Sequence, residues 1–225
     1  MICFHFLYDL NFFGIINISL YTGVFFYLAY GTASLFILLF GLSLTLKYQQ
    51  MQSMSTTSKT IPLYFIYRGI KIFFLGLIIT IVTYVLIPDR FIIFGILHFI
   101  GIALLICYPF LKNVKENIVL GVMIIIFGWV IRQTGVDFSW GLAFGFIPYG
   151  FSTVDYFPLF PWFGVALLGI ALGNMIYKNG KRQFHLSKKW SQCPIPLFCF
   201  LGRNSLIIYF FHQPILFGLI YILLA

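Results

Sequence analysis

Three histidines of this chain lie inside apolar runs, where an imidazole is costly unless it faces protein or water. His5, in FHFLYDL, is followed four residues later by Asp9, the spacing at which helix side chains meet. A carboxylate beside an imidazole fixes its tautomer and stabilises the imidazolium, as a general base requires. His212 sits in LGRNSLIIYFFHQPI, nine residues past Arg203 and so about 13 Å along a helix axis, near mid-bilayer. Ser205, Tyr209 and His212 follow helical spacing and form one polar stripe, with Gln213 beside it. Pro214 has no N–H to give the carbonyl of Phe210, and a freed carbonyl is tolerated only toward protein or a watery cavity. The stripe is therefore expected to face inward. His98, in FGILHFIG, lies about 12 Å from Arg90. Gly95 and Gly101 flank it and would let another helix approach closely.

Chemistry of this kind needs elements to hold it, and composition says which. The residues are 61% hydrophobic and 8% charged, whereas soluble domains carry roughly a quarter charged residues. Apolar runs at 23–46, 62–87, 91–111, 117–131, 157–177 and 199–224 reach or approach the ~20 residues that cross a bilayer as a helix. Long runs rather than alternation argue against a membrane barrel. The expected fold is all-α: a polytopic transmembrane bundle of about seven spans, one domain over 1–225, the first span a fragment. A helix starting at Met1 would begin in mid-bilayer, so a longer start with a basic cytoplasmic segment is expected. A signal peptide is not expected, since MICFHFLY has no basic n-region.

Charge sets the direction. With the loop 47–61 cytoplasmic, the inner side holds Lys47, Lys59, Arg68, Lys71, Lys112, Lys115, Lys178, Lys181, Arg182, Lys188, Lys189 and Arg203. Only Arg90 and Arg132 of the 14 basic residues fall outside. This places the N-terminus in the cytoplasm and the C-terminus outside. It also accounts for the net charge of +9 without nucleic acid.

The inner mouth offers Arg68 and Lys71 in YRGIKIF, and Arg203 with Asn204 in LGRNS. Snorkelling anchors explain them blandly; phosphates of a cytosolic donor explain them functionally. The run 178–189 suits contact with anionic lipid. On the outer side, Asp155 before Pro158 and Pro161 suits a capped helix start or a place facing an acceptor. Trp162, Ala166, Gly169 and Gly173 recur at helical spacing as a small-residue stripe. The segment 134–156 is too short and glycine-rich for a hairpin of spans, and either dips into the membrane or folds over the outer mouth. Cys3, Cys107, Cys193 and Cys199 show no metal spacing and no disulfide is expected. No HExxH or Cys/His pattern occurs, so no metal is expected.

FHFLYDLNFFG, LFILLFGLSLTLKY, FIIFGILHFIGIALL, DYFPLFPWFGVALLGIALG and LGRNSLIIYFFHQPI together resemble the prokaryotic relatives of heparan-α-glucosaminide N-acetyltransferase, within a superfamily of transmembrane acyl transferases. The resemblance covers nearly the whole chain. It implies a helical membrane enzyme taking acetyl from cytosolic acetyl-CoA to an acceptor on the opposite face, an amino sugar in the lysosomal member. It also implies a histidine-dependent transfer. That member carries an asparagine near the outer end of its first helix and its essential histidine in the next outer loop. Here His5 stands at the asparagine's place and residues 10–22 hold no histidine, so the role passes to His5. The usual Arg-Gly start of the first helix is absent.

The functional expectation is an acyltransferase moving an acetyl or other acyl group from acyl-CoA to a sugar or other polar acceptor outside. Its catalytic residues are His5, Asp9, His98 and His212. Arg68, Lys71, Arg203 and Asn204 take the acyl-CoA, and Asp155, Tyr209 and Gln213 serve the acceptor side or donate to the transition state. Lipids surround it and a homo-oligomer stays open. A small proton-coupled transporter or flippase is the alternative, opposed by the lack of an inverted repeat. A non-catalytic scaffold would leave the polar stripe unexplained.

Overall fold

The computed structural model describes residues 2–19, 22–54, 60–178, 180–184 and 195–224. Lys59, His185, Lys188, Lys189 and Cys193 lie outside the described residues. Helices dominate: α1 Ile2–Phe12, α2 Gly23–Ser53, α3 Thr60–Leu86, α4 Ile96–Ile106, α5 Lys115–Ile131, α6 Leu159–Ile176, α7 Ile195–Arg203 and α8 Ser205–Leu224. Short strands β1 Gly135–Val136, β2 Ile147–Pro148, β3 Tyr177–Lys178 and β4 Lys181–Arg182 join them. Many of the side chains are Phe, Ile and Val, middling helix formers in water. In hydrocarbon the helix prevails because it pairs every backbone group within the segment.

Helices α2, α3, α6 and α8 are long and apolar enough to cross a membrane, and the chain is a membrane protein. α4, with 11 residues, and α5, with 17, are shorter. The run expected at 199–224 divides into α7 and α8 at Asn204. There the side-chain Nδ2 donates to the Phe200 carbonyl at 2.9 Å, alongside the residue's own backbone N–H at 3.1 Å.

The chain forms two compact units: residues 1–35 with 184–225, and residues 36–183. In the first unit, α1 packs on α8. Phe13 and Phe217 bring their rings within 4.8 Å at one end of that contact, and Asp9 is buried along it.

In the second unit, α3 packs on α4 and α5 on α6. Glycine is what lets them approach. A Cβ on Gly101 would lie 2.8 Å from the backbone nitrogen of Phe73, and one on Gly164 2.5 Å from the Gly121 carbonyl. The stripe expected on α6 meets the C-terminal half of α2: a Cβ on Gly169 would strike the Leu38 carbonyl, and one on Gly41 the Ala166 carbonyl. Thr45, fully buried, donates to the Ile170 carbonyl at 3.2 Å across the same seam.

The segment 134–156 is ordered rather than a hairpin of spans. β1 pairs parallel with β2, and Tyr156 donates its hydroxyl to the Leu142 carbonyl at 2.8 Å. Three bonds then fasten its end to the approach to α4: Val154 N–H to Arg90, Thr153 Oγ1–H to Phe91, and Phe157 N–H to Phe94.

Candidate active site

The first unit holds a polar cluster between α1 and α8. Gln213 Nε2 donates to Asp9 Oδ1 at 2.7 Å, and the rings of His5 and His212 meet edge-on with centroids 4.9 Å apart. Asp9 is 1% exposed and His212 9% exposed, in a chain where hydrocarbon surrounds the helices. The local sequence explains the geometry. His5 and Asp9 share one face of α1 at four-residue spacing, and Tyr209, His212 and Gln213 present one arc of α8.

The tautomer of His212 follows from its partner. Nδ1 lies 2.7 Å from the carbonyl oxygen of Tyr209, one turn back. A carbonyl can only accept, so Nδ1 carries the hydrogen and the neutral ring keeps its lone pair on Nε2. That Nε2 is buried without a partner, as are Asp9 Oδ2 and Gln213 Oε1. The three are acceptors that lack a donor, and each leaves desolvation uncompensated. Groups left so in a helix interface are what an incoming proton donor would satisfy. The carboxylate–imidazole contact expected between Asp9 and His5 takes a different form: Asp9 is held by Gln213, and His5 lies against His212.

His98, in the second unit, is differently placed. It is 2% exposed, and the Gly95 N–H donates to its Nδ1 at 3.2 Å. Nε2 therefore bears the hydrogen and meets Thr80 Oγ1 at 3.3 Å. Phe94 stacks on the ring, Phe73 meets it edge-on, and Gly76 of α3 lies close enough that a Cβ would sit 3.1 Å from it. Both nitrogens are engaged, and the ring closes the N-terminus of α4. Asp155 completes that cap: its Oδ2 accepts from Ile96 N–H at 3.1 Å. The start it caps is thus that of α4, while α6 begins after Pro158 with no side-chain cap. Burial raises the Asp155 carboxyl to about 6, against the opposing pull of the Ile96 N–H.

The basic residues divide the same way. On α3, Arg68 Nη1 donates to the Tyr64 hydroxyl at 2.8 Å, and Lys71 Nζ stands 4.4 Å from the centre of the Tyr67 ring. Both cations are exposed. In the first unit, Arg203 ends α7 exposed and Asn204 links it to α8. Thr80 and the two tyrosines stand outside the residues expected from sequence. The tyrosines were legible, since Tyr64–Arg68 and Tyr67–Lys71 both stand at i, i+4 in YFIYRGIK. Thr80 was not, because its partner lies on another helix. No cluster of His, Cys, Asp and Glu suited to a metal occurs among the described residues.

The family described as heparan-alpha-glucosaminide N-acetyltransferase, catalytic, matches residues 1–214, nearly the whole chain. The chain belongs to that family. Both the cluster between α1 and α8 and the His98–Asp155 cap fall within the matched residues. No curated protein and no solved structure matches the chain significantly. Family membership makes the protein a membrane acetyltransferase by kinship, and the site residues above are this chain's own.

Proposed function

We propose that the protein transfers an acyl group, acetyl foremost, from cytosolic acyl-CoA to an amine or hydroxyl of a sugar or other polar acceptor on the outer face. The reading takes residues 1–225 as one catalytic domain of about seven spans, N-terminus inside and C-terminus outside. One observation carries it: three buried acceptor atoms of Asp9, His212 and Gln213 stand without donors beside a second imidazole. An acceptor's N–H or O–H is what they lack.

The step follows. The nucleophile attacks the thioester carbonyl carbon, forming the new C–N or C–O bond. Its proton passes to Nε2 of His212, whose Nδ1–H remains on the Tyr209 carbonyl. The tetrahedral intermediate collapses with cleavage of the C–S bond, and the imidazolium returns the proton to the departing sulfur. Asp9, fixed by Gln213, supplies the negative charge that steadies the imidazolium. His5 flanks the base, and the Tyr209 hydroxyl and Gln213 amide serve as donors to the oxyanion. Arg203 with Asn204, at the start of α8, receives the phosphates of the donor; Arg68 and Lys71 on α3 offer a second cationic pair of the same chemistry. His98, with Asp155, holds the N-terminus of α4 and takes no part in the proton transfer.

Purified protein in lipid nanodiscs, given radiolabelled acetyl-CoA and a panel of amino sugars and neutral sugars, tests the reading. Acylated product and free CoA should appear, and His212→Ala should abolish both. Absence of CoA binding, or unchanged rates in His212→Ala and Asp9→Asn, overturns it.

A further inference from the structure

The hairpin that follows α6 is cationic, and it is held in place. Its strands carry Lys178, Lys181 and Arg182 around a turn at Gly180, whose φ of +75° suits glycine. Register sets Lys178 directly opposite Lys181, a like-charge pair that repels unless something negative lies between or above. Among the described residues of this end, no Lys or Arg pairs with a carboxylate. Gln49, on the last turns of α2, grips the first strand and the turn. Its Nε2 donates to the Tyr177 carbonyl at 3.1 Å, and its Oε1 accepts from the Gly180 N–H at 2.8 Å. Asn174 of α6 joins the same network at 3.3 Å.

Between hairpin and helix runs a groove of about 560 Å³, lined by Leu46, Lys47, Gln50, Ser53, Gly180 and Lys181. Lys47 is itself positioned: Nζ donates to Gln50 Oε1 at 3.2 Å and stands 5.2 Å from the centre of the Tyr64 ring. Two ammonium groups, a serine hydroxyl and an amide thus line one wall, and the apolar side of α2 reaches the groove at Leu46. Exposed Leu39 lies on the same helix, and Leu63 and Ile66 on α3. Cationic wall and apolar approach together suit an amphiphile with a phosphate head.

We propose that this groove is a binding site for the head group of an anionic membrane phospholipid, with the phosphate between Lys47 and Lys181 and the acyl chains along the apolar flank. The site is independent of the acyl-transfer reading. It differs from diffuse attraction of a basic segment to a charged surface because its geometry depends on Gln49.

The test uses the purified full chain in neutral detergent, reading its thermal unfolding midpoint. Phosphatidylglycerol should raise the midpoint, while phosphatidylcholine and inorganic phosphate should leave it in place. Lys47→Gln with Lys181→Gln should abolish the shift. Gln49→Ala, which keeps every charge, should reduce it strongly. Arg182→Gln removes one charge from the neighbouring hairpin position, outside the groove lining, and should preserve it. Equal loss in Lys181→Gln and Arg182→Gln would mean diffuse attraction and overturn the site. An equal shift with inorganic phosphate would mean a free-anion site, and displacement of the lipid by CoA would mean a donor site; either overturns the lipid assignment. Should Gln49→Ala fail to fold, Lys181→Gln against Arg182→Gln decides alone.

Discussion

The amide of Gln213 donates to the carboxylate of Asp9 at 2.7 Å, joining two residues 204 positions apart. Among the described residues it is the one hydrogen bond the Asp9 side chain makes, and the other oxygen is bare. Gln213→Ala should therefore strand the whole carboxylate, lowering stability by about 1–3 kcal/mol. Gln213→Asn, too short by one methylene, should behave similarly. Thermal unfolding in detergent checks the loss, and a fully stable Gln213→Ala protein would contradict the burial of Asp9.

His212 and His98 should part company. His212 has a lone pair free for chemistry, so His212→Ala should cost roughly 10²–10⁴ in kcat or more, with the unfolding midpoint moved less. His98 has both nitrogens bonded and aromatic rings on two sides. His98→Ala should lose about 2–4 kcal/mol of stability, with kcat per folded molecule nearly kept. Measuring rate and midpoint on both variants separates the roles.

Asp155 gives a pH signature outside the spans. Its carboxyl titrates near 6 when folded against an ordinary value of 3.8. The folded state thus holds this proton more tightly than the unfolded chain. The resulting stability is full below about 4, declines between those values and is lost above about 6. Asp155→Asn keeps an acceptor for the Ile96 N–H and removes the titration. The difference between wild type and Asp155→Asn should shift in favour of the wild type on acidification from pH 7 to 4, by about 2–3 kcal/mol. A pH-independent difference would contradict it.

Gly169→Ala should force α6 away from α2, since the added carbon meets the Leu38 carbonyl. A cost of about 1–3 kcal/mol is expected. Gly218→Ala, on α8 with nothing within 4 Å, should be neutral or slightly stabilising. Comparing the two midpoints controls for helix propensity.

The helices were legible in the sequence because hydrocarbon leaves the backbone one open structure. The α6 glycine stripe was legible for a related reason: small residues at helical spacing mark a close approach, though not its partner. The breaks were harder. Asn204 divides the last apolar run by a local side-chain bond, which no hydropathy window registers. The site was legible as a residue list but not as pairings. Asp9 is four residues from His5, yet its hydrogen bond comes from Gln213, and Asp155 caps a helix 59 residues earlier. Such partners depend on which helices touch, and one chain's periodicity carries no record of that.

The contact between α2 and α6 brings main chain against main chain at Gly41 and Gly169, with no layer of side chains between. A seam like that cannot slide by exchanging rotamers, as ordinary helix interfaces do. Any shear must first lift a carbonyl clear of its neighbour, and the two rods turn as one. Whatever rearrangement accompanies turnover must therefore find its hinge elsewhere than along this weld.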